Sequence, residues 1–326
     1  MNQASLLDPH LHENVRLKNV RHTHTLHVVA HTHQHEQRKA IENNFNRILK
    51  YCNPKVLHAS LHMSPAVLEG VVRLCSLTAL NLDGTCVSDF EVQIICSRLP
   101  LLELLSVRMT NISDGGFTEL GALTRLKTLD VGHTLITHKT FQHVASLKQL
   151  ERLTFDRCEK ILNLSHLLPE SSLKIINMSA SGVSEASLSS LSRHENLTEL
   201  DVGHFYGKIT GRIFSSLDLK QLNKLRVCWC AVTDEHVASI AALTSLRHLD
   251  IRHNPITDVG LKELLNLSFL GVLDVSGCVG VTCVGVRFLF TMVQLRWLGV
   301  SGTGVTKMDV FMLRSECEYV QIMKSF

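Results

Sequence analysis

Apolar residues recur along this chain in the spacing L-x-x-L-x-L, with polar positions between them. The spacing appears at Leu77, Leu80 and Leu82, at Leu102, Leu105 and Val107, at Leu126, Leu129 and Val131, and at Leu150, Leu153 and Phe155. It continues at Leu173, Ile176 and Met178, at Leu197, Leu200 and Val202, and at Leu222, Leu225 and Val227. Leu246, Leu249 and Ile251, then Leu270, Leu273 and Val275, then Leu295, Leu298 and Val300 complete the series. Successive first positions lie 23 to 25 residues apart. Side chains alternate in direction along a strand, so the L-x-L part predicts a short strand with one buried face. Weaker copies stand at Pro54, Leu57 and Ala59 and at Cys317, Val320 and Ile322, and Leu26–Val29 reads as a further strand that starts the array.

The second half of a unit opens with a β-branched residue, a Ser or Thr and an acid. Examples are Val87-Ser88-Asp89, Ile112-Ser113-Asp114, Val232-Thr233-Asp234 and Ile256-Thr257-Asp258. The hydroxyl residue is a helix N-cap by type, and the acid sits in the first turn, where the helix dipole favours it. Apolar residues at helical spacing follow, as in Val259, Leu261, Leu264, Leu265 and Leu267. Each unit is therefore strand, turn, helix, turn. One unit cannot bury its own leucines, but stacked units share a core. The expected fold class is α/β: a curved, horseshoe-like solenoid with a parallel sheet on the concave face and helices on the convex face.

Pattern, period and element order resemble the leucine-rich repeat family across residues 53–326. The position usually held by Asn is here Thr85, Thr110, Thr134, Cys158, Ser181, Phe205, Cys230, Asn254, Cys278 and Thr303. This mix, with I-T-D-x-G-L in the clearest unit, is similar to the intracellular cysteine-containing repeats of about 24 residues found in F-box receptors and many protozoan proteins. The resemblance implies a protein-interaction role. Two units are irregular: Cys158–Leu164 lacks the Thr-Asp start, and Phe205 beside Tyr206 replaces the ladder residue. Both are read as sequence drift, or as changes of curvature or a bulge.

Strand residues between the leucines line the solvent side of the sheet. Toward the C-terminal half they form a mixed patch of Asp201, His204, Arg226, Trp229, His248, Asp250, Arg252, His253 and Trp297. Exposed Trp beside Arg is the composition of a protein-binding hot spot, so these are the candidate partner-binding residues. The Asp of L-D-V/I also recurs as part of the repeat itself, where it would pair with neighbouring Arg or His for under about 1 kcal/mol.

Composition narrows the classes. The chain has 326 residues, 45% hydrophobic, with a formal net charge of +3 and 5% aromatics. So small a charge argues against a dedicated nucleic-acid binder. No apolar run is long enough to span a membrane, and the first residues lack a signal-peptide core. The ten cysteines are scattered, with no CxxC pair. These features predict a cytoplasmic protein in a reducing compartment, with a cytoskeletal, flagellar or organellar assembly left open.

Residues 1–52 differ from the rest: His22, His24, His27, His31, His33 and His35 crowd one stretch. They are expected to form a capping edge strand and a helix near 34–52. His31, His33 and His35 would share one strand face and are weak candidates for zinc or nickel, with no Cys or carboxylate to close a tetrahedral set. No cofactor is expected. The chain has no P-loop, GxGxxG, HExxH or GxSxG motif, so no enzyme is expected either. The leading expectation is a non-catalytic scaffold or subunit of a larger assembly. The alternatives are a substrate receptor of a ubiquitin ligase and a metal-binding protein using the histidine-rich leader.

Overall fold

The computed structural model describes residues 15–20, 25–30, 45, 49, 54–60, 64–167, 172–206 and 208–324. The chain divides into two units, the first comprising residues 1–161 and 166–172 and the second 162–165 and 173–326.

In the first unit, β1 (Val15–Val20) pairs antiparallel with β2 (Thr25–Ala30). Parallel pairing then runs through β3 (Val56–Ser60), β4 (Ala79–Asn81), β5 (Leu104–Ser106), β6 (Thr128–Asp130) and β7 (Arg152–Thr154). The second unit holds β8 (Ile175–Asn177), β9 (Glu199–Asp201), β10 (Lys224–Arg226), β11 (His248–Asp250), β12 (Val272–Asp274), β13 (Trp297–Gly299) and β14 (Gln321–Met323), each parallel to the next. The strand starting at Leu26 and the two weak terminal copies are thus strands. The antiparallel β1 has no counterpart in the sequence pattern.

Register places like residues in rows. Leu80, Leu105, Leu129 and Leu153 are paired in the first unit, and Leu200, Leu225, Leu249, Leu273 and Leu298 in the second. Each is at most 1% exposed. Such burial stabilises by about 1.5–3 kcal/mol per leucine, and the row exists only because neighbours stack. In the last strand, Arg314 donates to the Ile322 carbonyl at 2.7 Å, which occupies one polar group of a strand paired on one side.

Helices follow most strands: α1 (Pro65–Val72), α2 (Asp89–Arg98), α3 (Thr140–Val144), α4 (Asp234–Ala241), α5 (Asp258–Glu263), α6 (Cys283–Leu289) and α7 (Lys307–Glu316). Elsewhere the chain makes 3-10 turns, at Asp114–Phe117, Leu120–Ala122, Glu185–Arg193 and Arg212–Ser216. The irregular stretch after Cys158 has no helix among its described residues. Of the leader helix, Phe45 and Leu49 are described, both helical and buried.

The acid of the Thr-Asp signature sits in the first turn, as the sequence indicates, and it has a second task. The acid of one repeat accepts from the Ser or Thr of the next. Asp234 takes the Thr257 N–H at 2.8 Å and its hydroxyl at 2.6 Å, and Asp258 takes the same two groups of Thr282. Asp89 does this for Ser113, and Asp114 for Thr137 and Thr140. Burial opposes ionisation of Asp114, but the bonds from Thr140 and Thr137 prevail and lower its pKa. The Gly of I-T-D-x-G-L belongs to the same device. A Cβ on Gly260 would collide with Asp234, and one on Gly285 with Asp258.

The ladder position is solved three ways. Thr85, Thr110, Thr134 and Thr303 donate to the carbonyl of the residue just after their own strand at 2.6–2.7 Å. Cys158, Cys230 and Cys278 instead donate to a carbonyl of the preceding repeat, at 3.2, 3.0 and 3.4 Å. Asn254 does both, bonding the Val227 and Ile251 carbonyls at 2.9 Å while accepting from the Cys230 and Val232 N–H groups. Four hydrogen-bonding sites on one amide explain why Asn suits this position best. Phe205 is buried, 2% exposed, while Tyr206 beside it turns outward.

Candidate functional site

Among the described residues, the residue that ends the strand turn is left-handed in each repeat from Gly84 to Gly302. In the first unit these are Gly84, Met109, His133 and Arg157, with φ between 55 and 66°. In the second they are Ala180, His204, Trp229, His253, Gly277 and Gly302, with φ between 53 and 77°. The cause is an inter-repeat bond. The N–H of Trp229 donates to the Arg252 carbonyl, that of His253 to Ser276, and that of His204 to Cys228. The neighbouring repeat thereby imposes a conformation that costs an L-residue about 1–2 kcal/mol.

On the second unit three such residues carry rings on successive repeats, and two of them stack. The Trp229 and His253 rings are 4.1 Å apart and 13° from parallel. Tyr206, itself left-handed at φ 47°, lies 6.1 Å from Trp229 and 6.1 Å from His204. The row stays in solvent: Trp229 is 41% exposed and Tyr206 74%. It ends at Gly277, over which the His253 ring lies flat; a Cβ there would stand 2.6 Å from Cε1 of that ring. The sequence reading placed His204, Trp229 and His253 on one face but missed Tyr206. The sequence held no clue to it, because the chain leaves the strand after Asp201 and Tyr206 takes a left-handed backbone to which strand alternation does not apply.

The charged candidates sit beside this row. Arg252 is held by Asp250 through Nε at 2.9 Å and Nη2 at 2.8 Å, with Asp274 at 3.6 Å. Arg226 has a looser contact to Asp201 at 3.5 Å. The carboxylates also cap backbone turns: Asp201 accepts the Gly203 N–H, Asp250 that of Arg252 and Asp274 that of Ser276. The guanidinium side chains are 44% and 43% exposed, against 15–19% for Asp201, Asp250 and Asp274. Burial raises the Asp201 pKa, against the pull of the Gly203 N–H and Arg226.

His248 and Trp297 stand apart from the ring row. His248 opens β11, in register with Lys224 and Val272. Its pKa is lowered, first by partial burial and then by Lys224. Trp297 opens β13, and its ring folds across Gly299, where a Cβ would meet it at 2.8 Å. Among the described residues no group of three or more His, Cys, Asp or Glu is arranged to hold a metal ion. His31, His33 and His35 lie outside the described residues.

A family profile described as Leucine Rich repeat matches residues 242–265, which contain β11, α5 and Asn254. That is the one repeat whose ladder position is Asn. Comparison with curated proteins finds no match. Among solved structures the chain is similar to an internalin (inlF) from Listeria monocytogenes str. 4b F2365. Identity is 18%, TM-score 0.59, with 92% of this chain and 85% of that chain covered. No helix among the described residues is long and apolar enough to cross a membrane. The repeat length, the stacked leucine rows, the matched repeat and the shared fold agree: the chain has a leucine-rich repeat fold, and its residues 242–265 match the family's own profile.

Proposed function

We propose that this chain is a non-catalytic protein-interaction module and scaffold subunit whose contact surface is the strand face of the second unit. The observation that carries the reading is the exposed row Tyr206–Trp229–His253 beside the half-exposed Arg226 and Arg252. Aromatic and Arg side chains held rigidly at a surface are the groups that dominate protein–protein binding energy. An open sheet face differs from the water-excluding pocket that catalysis uses. Residues 1–52 serve as the N-terminal cap in this reading, with β1 and β2 extending the strand array by pairing before β3. A reducing compartment is supported by Cys158, Cys230 and Cys278, which work as thiol donors to buried carbonyls.

Affinity purification from native extract, with wild type beside a folded Trp229→Ala, Arg252→Glu variant, tests the face. A defined partner set lost in the variant is the expected result. Partners retained by both would move the interface off the strand face.

A further inference from the structure

The left-handed column gives a reason to single out a few of the exposed side chains. Glycine takes this conformation without the Cβ clash, and Gly84, Gly277 and Gly302 occupy the column in three repeats. His204, Trp229 and His253 occupy it in three successive repeats of the second unit, each at a backbone cost. Burial does not repay that cost for Trp229, which is 41% exposed, or for His253, which is also exposed. Met109, His133 and Arg157 bear the same backbone cost in the first unit; what sets the second-unit column apart is that two of its rings stack on each other and stay in solvent.

The charge arrangement states what that partner carries. Asp201, Asp250 and Asp274 are spent on the turn N–H groups beneath them and are mostly covered. The guanidiniums stand above. Arg252 uses Nε and Nη2 on Asp250, and Arg226 reaches Asp201 only at 3.5 Å. Both retain N–H donors directed away from those carboxylates, in the planar geometry that a further carboxylate matches.

We infer that the row Tyr206–Trp229–His253 with Arg226 and Arg252 is a docking strip for an extended, anionic protein segment. Carboxylates of the segment bond the two guanidiniums, and an apolar or aromatic side chain packs on the ring row. The inference rests on the interaction reading of this face and specifies the partner's chemistry.

The test is selection of displayed random peptides on the purified full chain, followed by affinity measurements with the enriched peptides. The variants are Arg226→Gln, Arg252→Gln, Trp229→Gly and Trp229→Ala. Enrichment of Asp and Glu around an aromatic or Leu anchor is expected, with binding reduced at least about tenfold in each variant and weakened by salt. Thermal melting is read in parallel. Trp229→Gly is expected to melt no lower than Trp229→Ala, since only glycine relieves the backbone. Neutral or basic peptides that still fail to bind Trp229→Gly would overturn the anionic assignment and leave the interaction face standing. Peptides that bind every variant equally would sink both. No enrichment, or Trp229→Gly melting below Trp229→Ala, would also overturn the inference.

Discussion

The strand faces of the two units use Arg–Asp pairs to opposite effect. In the first unit Arg108 is clasped by Asp156, with one bond at 2.9 Å, and by Asp130 at 3.2 Å. Its side chain is 29% exposed, and Asp156 only 10%. Asp83 closes the cluster by accepting from Ser106 and from the Arg108 N–H. In the second unit Arg226 and Arg252 lean on Asp201 and Asp250 yet stay nearly half exposed, beside the stacked Trp229 and His253 rings. An Arg–Asp pair on a repeat sheet is therefore not in itself a binding feature. What separates internal glue from an offered surface is how many donors remain after the neighbouring repeats have been served.

The sharpest way to break this comparison is to remove one arginine from each unit. Arg108→Ala leaves Asp130 and Asp156 facing each other without a cation and should cost about 3 kcal/mol in urea unfolding. Arg226→Ala, a half-exposed pair at 3.5 Å, should cost under about 1 kcal/mol. Equal losses would show that the two faces are energetically alike. Asp130 adds a sign to this. Burial pushes its pKa up to about 6 even with the Gly132 N–H and Arg108 beside it. The native state binds this proton more tightly than the unfolded chain does. Ionising Asp130 between pH 4 and 6 therefore subtracts stability, and Asp130→Asn should remove that slope.

Acid should act in the opposite sense on the second unit. His194 is 1% exposed, and burial lowers its pKa from 6.5 to about 4. Above pH 6.5 both folded and unfolded forms are neutral and nothing is gained or lost. Below it the unfolded chain takes up the proton first, so stability falls by about 1.4 kcal/mol per pH unit until the folded pKa is reached. Unfolding followed across that range should show the slope in wild type and not in His194→Gln. A slope unchanged by the substitution would place the acid sensitivity elsewhere.

The smallest expected effect isolates the backbone. Ala180 is left-handed at φ 55° with no ring to offer. Ala180→Gly should stabilise by roughly 0.5–1 kcal/mol, the relief of the left-handed cost less the extra freedom of unfolded glycine. A loss of stability would mean that the column carries no strain, and the case for Trp229 and His253 as deliberately retained rings would weaken with it.

Much of the site was legible before the fold was known. Alternation about the leucines put Asp201, Arg226, Asp250, Trp229 and His253 on the solvent side, and the structure keeps them there. Tyr206 was missed because the pattern was taken to be broken at Phe205, whereas the break is filled by a buried ring. His248 and Trp297 open β11 and β13 on the same strand array.

The sequence by itself determined the repeat length, the leucine rows and the order of elements. Those follow from local periodicity, repeated so often that only stacking can satisfy it. The tertiary structure alone decided three things: the acid of each Thr-Asp pair serves the following repeat, Trp229 and His253 stack on a left-handed backbone, and Arg108 is consumed while Arg226 is spare. The physical reason is common to all three. The deciding partner lies one or two repeats away, 23 residues for Asp234 and Thr257 and 48 for Arg108 and Asp156. A local pattern states what a side chain is and which face it takes, but the neighbouring repeat decides whether its hydrogen bonds are already spoken for.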